Sequence, residues 1–300
     1  MKNLFLALAA AIVLASAVFV ARAAVSASEA TSAAPQIGQT TIETHFEGQR
    51  ITGVEASAAF DIVLVRSDRT RAVVEVHNSL AEYVRISRSG DGKVRIGLHD
   101  VNNRVWRNLN RLPERERVQR VTIYLPSLST IRLSGACDLS STDTFSGEDV
   151  DILLSGASEI DGLTISSPRV KLQCSGATEV SLNLPATREL AVVASGASEI
   201  DITARGLDYS KIGVSGASEV DLYGDGRQGD WTVSGASELS AERFVVRDLS
   251  ITSSGASDAK VNATGTLNAK ASGASTVRYA GRPETLNNLS SDKKDVRPLQ

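Results

Sequence analysis

From Thr41 onward the chain alternates apolar and polar residues with the two-residue period of half-buried strands. "FDIVLV" (60–65), "AVVEVH" (72–77), "YVRISR" (83–88) and "KVRIGL" (93–98) are β-branched runs of strand length. "SGDG" at 89–92 separates the last two and reads as a hairpin turn. "VNNRVWRNLNRLPERERVQR" (101–120) interrupts the alternation as a loop or short helix, and Pro113 argues against one long helix. "VTIYLP" (121–126) resumes the strand pattern.

The alternation then becomes periodic on a longer scale. SGACDL begins at Ser134, and SGASEI, SGATEV, SGASEI, SGASEV, SGASEL, SGASDA and SGASTV follow from Ser155, Ser175, Ser195, Ser215, Ser234, Ser254 and Ser272. The spacings are 21, 20, 20, 20, 19, 20 and 18 residues, the mark of a solenoid. Three residues before the first serine stand Ile131, Ile152, Leu172, Val192, Ile212, Trp231, Ile251 and Ala269. One before it stand Leu133, Leu154, Cys174, Ala194, Val214, Val233, Ser253 and Ala271. Both columns are expected to face inward. The mixed column between them (Arg132, Leu153, Gln173, Val193, Gly213, Thr232, Thr252, Lys270) is expected to face outward.

Continuing the alternation turns the motif's glycine, its second serine and the following aliphatic residue inward. Its first serine, alanine and acid then point outward. A glycine in every coil fits a bend, and a serine at the next inward position can bond its neighbours in a stack. A second apolar set completes each coil: Leu163 and Ile165, Leu182 and Leu184, Leu207, Leu222, Phe244 and Val246, Leu267. Pro168, Pro185, Gly206 and Gly224 mark turns between strands.

The fold class is therefore all-β: a parallel β-helix of about eight coils, each roughly 20 residues long. A strand-rich N-terminal part (41–130) precedes the solenoid (131–280), and a charged tail (281–300) is expected to be flexible. The small, polar stretch 24–40 reads as a disordered lead-in. Before it, Lys2, the apolar run 4–20 and Ala21-Arg22-Ala23 form a secretory signal peptide (1–23). The expectation is export to a periplasm or the cell exterior, with no transmembrane anchor left after cleavage.

Aromatic residues make up only 4% of the chain, which suits a narrow solenoid filled by aliphatic side chains. The net charge of −3 conceals an asymmetry: 131–279 carries 20 acidic and 12 basic residues, whereas 24–130 carries 12 and 14. An acidic repeat array argues against a nucleic-acid partner.

The acids fall in a column, one per coil: Asp138, Glu159, Glu179, Glu199, Glu219, Glu238 and Asp258, ending at Thr276. Asp161, Asp201 and Asp221 add a partial second column. In-register coils about 4.8 Å apart set each neighbouring pair repelling by roughly 1 kcal/mol even at the dielectric of water. Three readings stay open: a solvated face, a cation site with Ca²⁺ as the fitting ion, or a face for a basic partner. Arg104, Trp106, Arg107 and Arg111 are candidates for contact with an anion or acidic glycan, against the plainer reading of a solvated loop.

Cys137 and Cys174 lie nearly two repeats apart, farther than a disulfide spans, and are expected to be buried free thiols. His45, His77 and His99 show no ligand spacing, and no nucleophile elbow, zincin or P-loop motif occurs. The expectation is no enzyme activity and no required cofactor.

"FDIVLV", "VVEVHNSLAEYVRISRSGDGKVRIGL" and "VTIYLPSLSTIRLSGACDLS", followed by the SGAS-type repeats, resemble the head GIN-domain family of auto-transporter adhesins over residues 45–280. The resemblance implies an exported, right-handed β-helix, with no catalytic residues to carry over. An auto-transporter ends in a membrane barrel of alternating strands. This sequence ends in "SSDKKDVRPLQ", so self-translocation by that route is not expected. The expected role is an adhesin-like binding module of the envelope or cell surface, contacting an envelope polysaccharide or a surface protein. The alternatives are a carbohydrate-active enzyme on the same scaffold, or a structural envelope protein that associates with copies of itself.

Overall fold

A computed structural model describes residues 40–299. The signal peptide expected at 1–23, and all but Thr40 of the lead-in expected at 24–40, lie outside the described residues. The described chain is a β-solenoid in which each SGAS repeat forms one coil stacked in parallel on the next. Asp149–Gly156 pairs with Arg169–Gly176, which pairs with Glu189–Ala194, and the register keeps each motif over its predecessor. Glu199–Val214, Glu219–Val233 and Glu238–Ser253 continue both faces of the stack.

Both inward columns are buried along their whole length, from Ile131 to Ala269 and from Leu133 to Ala271, and so is the second apolar set. No coil could cover its own apolar side, so stacking supplies the core. Trp231 is the one large ring in the repeat columns. It lies tilted against Phe244, with 6.1 Å between ring centroids, and its indole N–H donates to buried Ser210 Oγ at 3.0 Å.

The corner explains the motif. In every repeat the glycine adopts a left-handed backbone, with φ 84° at Gly196. A Cβ there would lie 2.6 Å from the carbonyl oxygen and 2.8 Å from the nitrogen of Gly176 in the coil below. The following alanine N–H donates to that same carbonyl, Ala197 to Gly176 at 2.7 Å and Ala217 to Gly196 at 2.8 Å. The glycines are thus exposed at the corner and pressed along the stack, rather than turned into the core as strict alternation suggested.

The second serines are buried, as expected. Ser198 Oγ donates to the Ser195 carbonyl at 2.9 Å and Ser218 Oγ to the Ser215 carbonyl at 2.9 Å. Ser218 Oγ also accepts from Ser198 N at 3.3 Å, which links adjacent coils. Cys137 occupies this serine position in the first repeat and points its Sγ at the Ser134 carbonyl, 3.3 Å away. Both cysteines are buried and free, and burial pushes the Cys174 thiol up to about 11.

The strand-rich region continues the same sheets, but out of chain order. Its elements are β1 (Thr40–His45), β2 (Gly53–Ala56), β3 (Asp61–Arg66), β4 (Arg71–His77), β5 (Val84–Arg88), β6 (Lys93–Leu98), helix α1 (Asn103–Leu109) and β7 (Gln119–Leu125). β8 (Thr130–Leu133) and β9 (Asp138–Ser140) open the first SGAS repeat. On one face β2 lies between β6 and β8, and on the other β3 lies between β7 and β9, all parallel. Antiparallel β5 covers β6, antiparallel β4 covers β7, and β1 pairs antiparallel with β4 on its outer side. The reversed strands β5 and β4 interrupt the parallel stack on this side, so the SGAS repeats do not continue past them.

Between β2 and β3, "SAAF" (57–60) forms a further corner of the SGAS type, with Ala58 at φ 77° in the place of the glycine. Ala136 N donates to the Ala58 carbonyl at 2.7 Å, as the later corners do. The coil beneath leaves this path after β6 and runs through α1, so no earlier corner repeats the SGAS geometry under Ala58. Asn102 caps α1 by accepting from the N–H groups of Arg104 and Val105, and the helix stops before Pro113.

The tail expected to be flexible at 281–300 is instead ordered as far as it is described. Thr285–Asn288 pairs with Thr266–Ala271, and Val296–Pro298 pairs with Thr276–Ala280. Arg282, Glu284, Asp292, Lys293 and Arg297 are exposed, whereas Val296 and Ser290 are buried, and Ser290 Oγ accepts from Ala271 N at 2.7 Å.

Two substitutions separate the corner from a generic turn. Gly196→Ala carries the left-handed penalty of about 1–2 kcal/mol plus the clash with Gly176, and is expected to lose ~2 kcal/mol or more in denaturant unfolding. Ala58→Gly is expected to leave stability unchanged or raise it by up to ~1 kcal/mol. A harmless Gly196→Ala contradicts the corner stack.

Candidate functional site

The stacked corners bring the predicted acids into one ladder. Register pairs Asp138 with Glu159, Glu159 with Glu179, and then Glu199, Glu219, Glu238 and Asp258 in turn, ending at Thr276. Asp61 extends the ladder below Asp138, and Arg120 lies next to Asp61 in the same register. Asp61 was missed in the sequence because "SAAFD" lacks the glycine that marks the motif. In the second column Asp201 pairs with Asp221, Asp161 lies beside Ser140, and the far end is cationic at Lys260 and Arg278.

The cations sit only at the ends. Arg120 lies 3.8 Å from Asp61, Lys260 bonds Glu238 at 2.6 Å, and Arg278 pairs with Asp258. Between them Asp138, Glu159, Asp161, Glu179, Glu199, Asp201, Glu219 and Asp221 form no ion pair among the described residues. Asp221 Oδ2 accepts from Tyr223 at 3.3 Å, and its other oxygen is covered without a partner.

The carboxyls respond accordingly. Partial burial, reinforced by like charge above and below, raises Glu159, Glu179, Glu199 and Glu219 above the ordinary glutamate range. Partial burial and the Asp61 charge raise Asp138, and partial burial and Asp221 raise Asp201. At the compensated end, Asp258 is lowered: burial opposes its ionised form, but bonds from Thr276 and Arg278 outweigh it.

The first face shows the contrasting arrangement. There Asp149, Arg169 and Glu189 succeed one another in one outward column, and Asp151 and Lys171 in the next. Arg169 bonds both oxygens of Asp149. The same scaffold thus alternates charge on one face and stacks like charge on the other.

Ca²⁺ needs several oxygens around one point. No group of three or more histidine, cysteine or acidic side chains suited to hold a metal ion occurs among the described residues. A ladder with one acid per coil spreads the ligands instead of gathering them.

The arginine candidates and Trp106 differ in their surroundings. Arg104, Arg107 and Arg111 are exposed on and after α1, whereas the indole of Trp106 is half-buried and packs on the core, as do Val105 and Leu112. His45 lies beside Glu43, His77 bonds Ser79, and His99 lies beside Asp100, each at a different place. A cluster of arginines that sequence reasoning missed lies elsewhere, on β5, β6 and β8. No helix among the described residues is long and apolar enough to cross a membrane.

The family model "Putative auto-transporter adhesin, head GIN domain" matches residues 50–223 and 185–283, and the chain belongs to that family. Solved structures share the fold. A putative adhesin from Parabacteroides distasonis superposes with a TM-score of 0.58 at 17% identity, covering 88% of this chain and 98% of that one. A putative adhesin from Parabacteroides merdae gives 0.53 at 14% identity, with coverage of 88% and 98%. A protein from Parabacteroides distasonis described as a putative lipid binding protein gives 0.55 at 14% identity, again with 88% and 98%. No curated protein matches the chain.

The ladder fixes the sign of a pH effect. A carboxyl raised in the folded state adds stability that is complete below its unfolded pKa and is lost as pH rises through its folded pKa. Melting temperature is therefore expected to rise at low salt as pH falls from neutrality toward the ordinary glutamate value of 4.5. Lowered groups such as Asp258 and Asp149 act oppositely, losing their contribution only as pH falls below the ordinary aspartate range. Glu199→Gln with Glu219→Gln is expected to raise the melting temperature by a few degrees at pH ~8 in EDTA, since each relieved contact is worth about 1 kcal/mol or less. That gain is expected to shrink toward zero near pH ~4. A lower melting temperature at pH ~8 contradicts the stacked ladder.

Proposed function

We propose that this head GIN-domain chain is an exported, non-enzymatic binding protein of the bacterial envelope or cell surface, and that its acid ladder is the contact face. The observation that carries this reading is the contrast between faces. Acids on the first face are interleaved with arginine and lysine, whereas Asp138 to Asp221 on the second face carry uncompensated charge at a cost to stability. A basic partner laid along that face relieves the repulsion at every coil. One weak contact per coil sums to a firm attachment through effective concentration. The glycines and alanines at the exposed corners let such a partner approach closely. Membership of an adhesin family and the solenoid fold support a binding role.

The same ladder speaks against a glycosidase or lyase reading. Such enzymes need two or three acids in distinct environments within one cleft. Here successive acids occupy equivalent sites on an open face.

The test compares the full chain with Glu179→Gln, Glu199→Gln, Glu219→Gln in binding to oligolysines of increasing length and to envelope fractions, in EDTA and in Ca²⁺. The wild type is expected to bind in EDTA, with affinity rising steeply until the oligomer spans the ladder. The variant is expected to lose about tenfold or more. Equal binding by the variant, or release of new saccharide ends from envelope polysaccharides, defeats the proposal.

A further inference from the structure

The out-of-order coil creates a second charged feature, opposite in sign to the ladder and on the other face. Five strands lie side by side there in the order β5, β6, β2, β8 and Asp149–Gly156. One outward row across them reads Ser87, Arg95, Glu55, Arg132, Leu153. The adjacent row reads Arg85, Gly97, Ser57, Ser134, Ser155. The tall row and the short row make an open groove of about 450 Å³ with these residues as its lining. The short row is sterically constrained: a Cβ on Gly97 would lie 2.4 Å from Ser57 Oγ.

Three guanidiniums and one carboxylate are the charged side chains of this lining. Glu55 is bonded by Arg95 Nε at 2.6 Å, while Arg132 Nε stands 3.9 Å from its other oxygen. Among the described residues, Arg85 has no carboxylate within ion-pair distance. Its Nη1 is held by the carbonyls of Glu82 at 2.8 Å and Val84 at 2.9 Å, which fixes the side chain and leaves its charge uncancelled. The groove is thus net positive in a protein that is net negative. It is also open-ended. The serine row continues coil by coil as Ser175, Ser195, Ser215 and Ser234, half-buried or exposed, with Leu153 and Val193 exposed beside it.

We propose that this groove binds an acidic polysaccharide, with uronate carboxylates of successive sugars seated at Arg85 and at Arg132, three strands apart, and the sugar chain running along the serine row. A planar carboxylate matches the guanidinium fork. The serine hydroxyls donate to carbonyls of the preceding coil, as Ser155 does to Leu133 and Ser195 to Cys174, so their oxygens remain acceptors for sugar hydroxyls. Exposed Leu153 offers the apolar contact that a sugar face takes and that a free anion does not need. Glu55 competes with the ligand for Arg95 and Arg132. The site is independent of the acid ladder and of whatever that ladder binds.

The experiment measures binding of the full chain to an oligogalacturonate, a neutral oligogalactose of equal length, inorganic phosphate and phosphatidylglycerol vesicles, by calorimetry at two salt concentrations. The oligogalacturonate is expected to bind saturably and more weakly at high salt. Arg85→Gln with Arg132→Gln, both exposed and outside the core, is expected to weaken it by about tenfold or more, the loss of one or two charge-assisted bonds. Glu55→Gln is expected to tighten it. Arg104→Gln, Arg107→Gln, Arg111→Gln on the helical segment is expected to change it by less than about twofold. Unfolding curves on each variant confirm that the fold is kept. Absence of oligogalacturonate binding, or binding unchanged by Arg85→Gln with Arg132→Gln, overturns the site. Equal binding of phosphate, vesicles or the neutral sugar overturns the ligand.

Discussion

The structure depends on one contact repeated at every corner: a left-handed glycine seated on the carbonyl of the glycine below it. The Gly176 carbonyl accepts from Ala197 N, and the same oxygen stands where a Cβ on Gly196 would fall. That contact admits no slippage. A shift of one residue would place a side chain on the carbonyl and turn the aliphatic columns outward. The corner therefore sets the register, the register fills the core, and the register also decides which polar residues stack on the outside.

The charge pattern follows from the same constraint. A residue placed after the corner recurs at the same height in every coil, so an acid in the motif becomes a ladder of acids. On the first face the sequence breaks such repetition with Arg169, Lys171 and Lys211, while on the second it keeps it from Asp138 to Glu238. The ladder ends where cations enter, at Arg120 on one side and at Lys260 and Arg278 on the other. Uncompensated charge of this extent carries a stability cost that a partner of opposite sign removes, which connects the fold to binding.

Much of this was legible in the sequence because a solenoid's contacts are local in period. Spacing the serines located the coils, and alternation placed both aliphatic columns inside and the acids outside. Where the local signal was altered, reading failed. "SAAF" hid a corner because Ala58 takes a conformation normally reserved for glycine, and with it the reading lost Asp61. The charged stretch after Gly281 suggested a loose tail, but its apolar Val296 and polar Ser290 were enough to dock it. The groove of Arg85, Arg95 and Arg132 was invisible for a topological reason. Its strands become neighbours only because the coil of β2 and β3 is inserted between one that follows it in the chain and the first SGAS repeat. The run of cations at Arg104, Arg107 and Arg111 drew attention instead, on and after a helix whose Trp106 packs against the core.

The central claim is that the corner stack imposes an in-register, uncompensated acid ladder. A site-resolved titration of side-chain carboxyl carbons by NMR, in EDTA and at low salt, tests it directly. Glu179, Glu199 and Glu219 are predicted to titrate above the ordinary glutamate value of 4.5, and Asp258 below the ordinary aspartate value of 3.8. Glutamates titrating at or below that ordinary value, or Asp258 titrating above its own, would contradict the account.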